Sequence, residues 1–193
     1  MSSRYDRDLR TLLDEIAAPQ AAPGAGAVSG MVVAMAAGLI ASAARRSPDW
    51  PEARGISAQA QALRSRVERL AEANEDAYLA ALALIDDASE QGGRDATIGA
   101  ALDTAAELPL AISECADGVA LLGAETAAHA VPGGAEDAAA AAMLGQAAAR
   151  AVAGLVACNL AALPGDERVE QARQLADVTT TAARRAAAAV ATR

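Results

Sequence analysis

The chain contains no lysine and no phenylalanine, and Tyr5, Trp50 and Tyr78 are its only aromatic residues. Without phenylalanine, a core has to be assembled from Ala, Leu, Val and Met side chains, which are small and pack closely. Without lysine, a P-loop for nucleoside triphosphates is excluded, because that loop needs a lysine to reach the phosphates. All sixteen basic residues are arginine, they are scattered, and the formal net charge is −9. This balance argues against nucleic acid or an anionic membrane surface as a partner. Cys115 and Cys158 are too few and too far apart for a disulfide framework. Together with the single histidine, His129, they show no metal-ligand spacing, so buried free thiols and no metal are expected. No Gly-x-Ser-x-Gly elbow is present, which disfavours a Ser/His/Asp hydrolase. The polar, charged start from Met1 to Arg10 lacks the apolar run of a signal peptide and points to the cytoplasm.

What the chain does have is alanine, nearly a third of its 193 residues. Alanine is the strongest helix former, and β-branched and aromatic residues are scarce, so the expected fold is all-α, an up-and-down bundle of long helices in a single domain, 1–193. Periodicity and punctuation give the segments. A short amphipathic helix from Asp6 to Ala17 ends before Pro19, and a long apolar helix runs from Ala27 to Arg45. Ser47, Pro48 and Pro51 form a loop around Trp50, followed by a helix from Ile56 to Ile85. A break is expected over Asp86 to Asp95, at Gly92-Gly93. The next helix, Thr97 to Leu122, continues toward Ala130 and contains Pro109, which should break or kink it. Val131-Pro132-Gly133-Gly134 stops it. Glu136-Asp137 opens a helix that reaches about Leu163, and Asp166 to Ala191 forms the last.

Two features of the first long helix stand out. Its run from Val28 to Ala44 approaches transmembrane length, but its Ala/Gly content and lack of flanking aromatics fit a buried central helix better. Small residues recur at Gly26, Gly30, Ala34, Gly38 and Ser42, one stripe that lets a second helix approach closely. A homodimer through such small-residue faces is expected. The helix is entered through Pro23-Gly24-Ala25-Gly26-Ala27-Val28, a turn that leaves amide N–H groups free at a helix start.

Taken in order, these segments resemble the cyclodeaminase/cyclohydrolase family, which comprises the C-terminal domain of formiminotransferase-cyclodeaminase and the free-standing methenyltetrahydrofolate cyclohydrolases. The resemblance rests on the Pro23–Val28 turn, on Arg69-Leu70, and on Asp76-Ala77-Tyr78 against a family pattern of Asp-x-x-Ala-aromatic or Asp-Ala-aromatic. It rests further on Pro109-Leu110 within a helix, on Glu136-Asp137, and on Asn159-Leu160 at the family's spacing from Asp137. Three positions depart from the family: Ala25 stands for a Gly, Ala27 for a Ser and Leu155 for the first Asn of an Asn-x-x-x-Asn pair.

The resemblance implies one-carbon chemistry at the N5/N10 bridge of a tetrahydrofolate derivative, through a tetrahedral intermediate and without a metal or redox cofactor. It implies Asp76 as proton carrier and Asp137 as second acid, with Pro23, Gly24, Gly26, Ala27, Tyr78 and Asn159 around the substrate. Residue by residue, plainer roles stand beside these. Asp76 can face water beside Glu75, and Asp137 can be an ordinary acid at a helix N-terminus. Asn159 can tie down a backbone, and Tyr78 can fill space. An anionic folate tail would call for arginines such as Arg45, Arg46 or Arg69. Two other functions fit the same residues: a relative acting on a non-folate small molecule, and a non-catalytic helical dimer subunit.

Overall fold

The computed structural model describes residues 8–19, 23–91, 95–161 and 164–192, which form six helices and no strand. They are α1 (Leu9–Ala17), α2 (Ala25–Arg45), α3 (Ala53–Gln91), α4 (Asp95–His129), α5 (Gly134–Asn159) and α6 (Glu167–Ala191). The ends expected at Asp6, at Gly92-Gly93 and at Leu163 lie outside the described residues.

Side-chain register shows the up-and-down order. Gly26 meets Asn74 and Gly30 meets Ala71, so α2 and α3 run antiparallel. Gly118 meets Leu63 between α3 and α4, and Gly123 meets Ala138 and Ala142 between α4 and α5, again antiparallel. Gln146 of α5 bonds Thr180 of α6. α2 is the central element. It packs on α3, α4 and α5, and twelve of its 21 residues are buried. It and α5 are long and apolar enough to cross a membrane, yet 61% of the apolar window of α2 is buried inside the protein.

The core is as small-sided as the composition demands. Its largest fully buried side chains are Ile40, Ile112, Val33, Val67, Val119, Val152 and Val156. Close helix approach compensates for their size, because dispersion attraction needs atoms in contact. A Cβ at Gly123 would lie 2.9 Å from the Ala138 carbonyl oxygen, and one at Gly145 would lie 3.0 Å from that of Ala116. Each helix of the α4–α5 pair thus gives up a side chain to admit the other's backbone.

The small-residue stripe of α2 divides in two. Gly26 and Gly30 are buried against α3 of the same chain, where a Cβ on Gly30 would come within 2.7 Å of the Ala71 Cβ. Gly38 has open space beside it, and Met35 on the outer side is 62% exposed. The second helix that the stripe admits is therefore an intrachain one over its first half.

Pro109 does not break α4, which runs from Asp95 to His129. Pro109 is fully buried within the bundle. α3 is longer than Ile56–Ile85 at both ends. Of the two thiols, only Cys158 differs from expectation. Cys115 is buried, and desolvation raises its pKa, whereas Cys158 is exposed on the outer side of α5.

The two ends of the bundle are closed differently. At the end where α4 passes to α5, Gly133 adopts φ 81°, a left-handed value that suits glycine, and its N–H donates to Glu136 at 2.5 Å. Ser47, buried in the α2–α3 loop, donates to the Ala43 carbonyl and accepts the N–H of Val131, each at 3.0 Å. Trp50 stacks on His129, with ring centroids 5.2 Å apart, and Arg46 pairs with Asp137. At the opposite end lie the Gly24 turn, the C-terminus of α5 and a pocket.

Candidate active site

The pocket, about 210 Å³, is lined by Gly24, Ala25 and Gly26 from the start of α2, Asn74, Glu75 and Tyr78 from α3, Ala105 and Pro109 from α4, and Leu155 and Asn159 from α5. Four helices converge on it because the up-and-down order brings the start of α2 and the end of α5 to the same end of the bundle.

Each polar group has a local reason for its position. Glu75 is 5% exposed, a carboxylate carried on the inner face of α3. Asn74, one residue earlier, lies over Gly26. A Cβ there would stand 2.4 Å from its Nδ2 and 3.0 Å from its Cγ, so the missing side chain of Gly26 is what makes room for the Asn74 amide. Asn159 donates from Nδ2 to the Ala105 carbonyl at 3.0 Å. Tyr78, one turn beyond Asn74, is 41% exposed and forms the rim. Pro109, Leu155 and Ala105 supply an apolar wall. A compact site with an apolar wall and a few convergent polar groups is the usual form of a small-molecule pocket.

Of the residues expected at the site, Gly24, Gly26, Tyr78 and Asn159 line this pocket. Pro23 is half-buried just before the lining turn, and Ala27 is buried behind it in the helix. The two acids expected to do the chemistry are placed elsewhere. Asp76 is exposed and does not line the pocket, because one residue along a helix turns the side chain by about 100° and Glu75 already takes the inner face. Asp137 sits in the first turn of α5, eighteen residues before Leu155, or roughly 27 Å along the helix axis. There it pairs with Arg46. Arg45 and Arg46 are likewise at the far end of α2, Arg69 is exposed on α3, and no arginine is among the described lining residues.

Glu75 and Asn74, which are not among the residues expected at the site, also line the pocket, and the sequence carries a signal for them. The pattern Asp-x-x-Ala-aromatic fits Asn74-Glu75-Asp76-Ala77-Tyr78 with an amide in first place, and Asn74 is the member of that stretch that meets Gly26. Leu155, which stands where the family pattern has an Asn, lines the pocket as part of the apolar wall.

The fold and the pocket define a class, an all-α helical bundle with a pocket of polar and apolar lining at the end where the Gly-rich turn opens α2. The family model of formiminotransferase-cyclodeaminase matches residues 8–178, and the chain belongs to that family. The crystal structure of formiminotetrahydrofolate cyclodeaminase from Thermotoga maritima shares the fold, with a TM-score of 0.85 over 96% of each chain at 20% sequence identity. No curated protein matches the sequence.

Proposed function

We propose that the protein is a folate one-carbon enzyme of the cyclohydrolase or cyclodeaminase kind, and that Glu75, rather than Asp76 or Asp137, is its proton carrier. The observation that carries this reading is the position of Glu75: a buried carboxylate that shares its pocket with two carboxamides, at the Gly-rich end of a family member's bundle. In the hydrolytic direction, water adds to the cationic carbon between N5 and N10 and gives its proton to the Glu75 carboxylate. The tetrahedral carbon then releases one nitrogen, which takes that proton from the carboxyl, while the hydroxyl on carbon becomes the formyl carbonyl and its remaining proton leaves to solvent. In the cyclodeaminase direction, N10 adds to the formimino carbon, and the carboxyl returns the proton to departing ammonia. In both directions the negative charge favours the cationic bridge, and positioned proton transfer is worth about 10²–10⁴-fold.

The pocket is smaller than the ~300–1,000 Å³ typical of ligand sites. It therefore encloses the reacting end of a folate and leaves the anionic tail outside, in keeping with the absence of arginine among its described lining residues. The same two facts, together with Leu155, favour as second reading a smaller, non-folate substrate of the same reaction type. A homodimer remains part of the proposal. Its face would be the outer side of α2 around Met35 and Gly38, since Gly26 and Gly30 are already used within the chain. Light scattering at micromolar concentration tests it, and a monomer would end it.

The experiment for the function follows the methenyl absorbance of 5,10-methenyltetrahydrofolate with protein present, beside calorimetric titration with the same compound and with 5-formyltetrahydrofolate. Binding with faster decay supports the folate reading. No binding by either compound removes it in favour of the smaller substrate.

A further inference from the structure

In an α-helix the N–H of residue 109 donates to the carbonyl of residue 105, and a proline at 109 has no N–H to give. The Ala105 carbonyl thereby loses its partner within α4. Ala105 is 7% exposed, so water does not readily replace the missing donor, and a buried carbonyl needs one. The donor present is Nδ2 of Asn159, 3.0 Å away and 54 residues distant in sequence. Pro109, Ala105 and Asn159 all line the pocket.

This bond decides how the Asn159 amide is presented. A flipped amide would set Oδ1 against the Ala105 carbonyl oxygen, two acceptors with no proton between them. With Nδ2 committed to Ala105, Oδ1 is the acceptor left to a ligand. A ligand edge that meets this oxygen carries an N–H donor, as an amino-substituted nitrogen heterocycle or an amidine does.

We infer that Pro109 is a positioning residue for the site: by withholding its N–H it leaves the Ala105 carbonyl to Asn159, and so fixes the Asn159 amide with its oxygen toward an N–H-bearing edge of the substrate. The part concerning the substrate rests on the functional reading above, and the coupling of Pro109 to Asn159 does not.

The test is a double-mutant cycle with Pro109→Ala, Asn159→Ala and the double variant, read by thermal denaturation without ligand and by calorimetric titration with 5,10-methenyltetrahydrofolate. Pro109→Ala restores a helical N–H, and alanine favours the helix, so the variant is expected to fold. Asn159→Ala strands the carbonyl in the parent and should lower the melting temperature by about 5 °C, but by less than half of that in the Pro109→Ala background. Asn159→Asp, which cannot donate, should lower it further than Asn159→Ala. Equal losses in the two backgrounds would overturn the coupling. In titration, Asn159→Ala should weaken affinity about tenfold and Pro109→Ala at least threefold, with the double variant no weaker than Asn159→Ala alone. Parent-like affinity in Pro109→Ala would overturn the positioning role. If the parent itself does not bind the folate, the functional reading and the ligand class fail together, while the thermal cycle still decides whether Pro109 and Asn159 act as one device.

Discussion

The two ends of the bundle carry similar side chains in opposite service. At the end where α4 passes to α5, Asp137 lies in the first turn of a helix, where the dipole favours a negative charge, and Arg46 neutralises it at the surface. Ser47 there satisfies two groups, the Ala43 carbonyl and the Val131 N–H, and Trp50 covers the junction against His129. At the pocket end, Glu75 is buried and Asn159 bonds a carbonyl that its own helix leaves over. One end has polar groups that close on one another, and the other has polar groups that face a cavity. A carboxylate's residue type therefore says little about its role. What separates Glu75 from Asp137 is which end of α5 lies beside it.

That contrast is breakable, most sharply at the acids. Glu75→Gln should lower turnover of the folate substrate by about 10²-fold or more while leaving the protein folded by circular dichroism. Asp76→Asn and Asp137→Asn should stay within about twofold of the parent. A large loss in either aspartate variant with little loss in Glu75→Gln would reverse the assignment. At the closed end, Ser47→Ala leaves the Val131 N–H and the Ala43 carbonyl without their bonds, which should cost about 1–3 kcal/mol in urea denaturation and leave turnover per folded molecule unchanged.

Gly26→Ala should do the opposite. The clash is with the movable end of the Asn74 side chain, so affinity should fall by roughly tenfold while stability changes by less than about 1 kcal/mol. A drop in stability without a drop in affinity would mean that Gly26 serves packing alone.

The smallest expected effect concerns pH. Burial raises the Asp117 pKa, and its Oδ1 has no hydrogen-bond partner among the described residues. A carboxyl whose folded pKa lies above its unfolded value binds more protons when folded, so stability falls as pH rises from the ordinary aspartate range through the raised value. Asp117→Asn should consequently raise the melting temperature at pH 7, and the gain should shrink at pH 4. Asp166 has the opposite sign. Hydrogen bonds from Arg168 hold its pKa at about 2, so its contribution is full above the ordinary aspartate range and is lost as pH falls toward 2.

Much of this molecule was legible in the order of its residues. The helices of α2, α5 and α6 follow from alanine content and from Pro and Gly punctuation, which act locally. Gly24, Gly26, Tyr78 and Asn159 were found through motif spacing, and all four line the pocket. Motif spacing does not tell which acid of α3 is buried at the pocket. Asp76 and Glu75 are neighbours in sequence, and only the rotation of α3 against α2 chooses between them. Gly123 and Gly145 gave no signal beyond being small, yet each admits the backbone of a facing helix.

By itself, then, the sequence determined that the chain is helical, where most helices stop and which turn opens the central one, because propensity, capping and glycine freedom are properties of a few consecutive residues. The tertiary structure alone decided which acid is buried, that the first half of the small-residue stripe faces its own chain, and that Asn159 completes a bond Pro109 cannot make. Those are relations between residues tens of positions apart, and they come into being only when the helices pack.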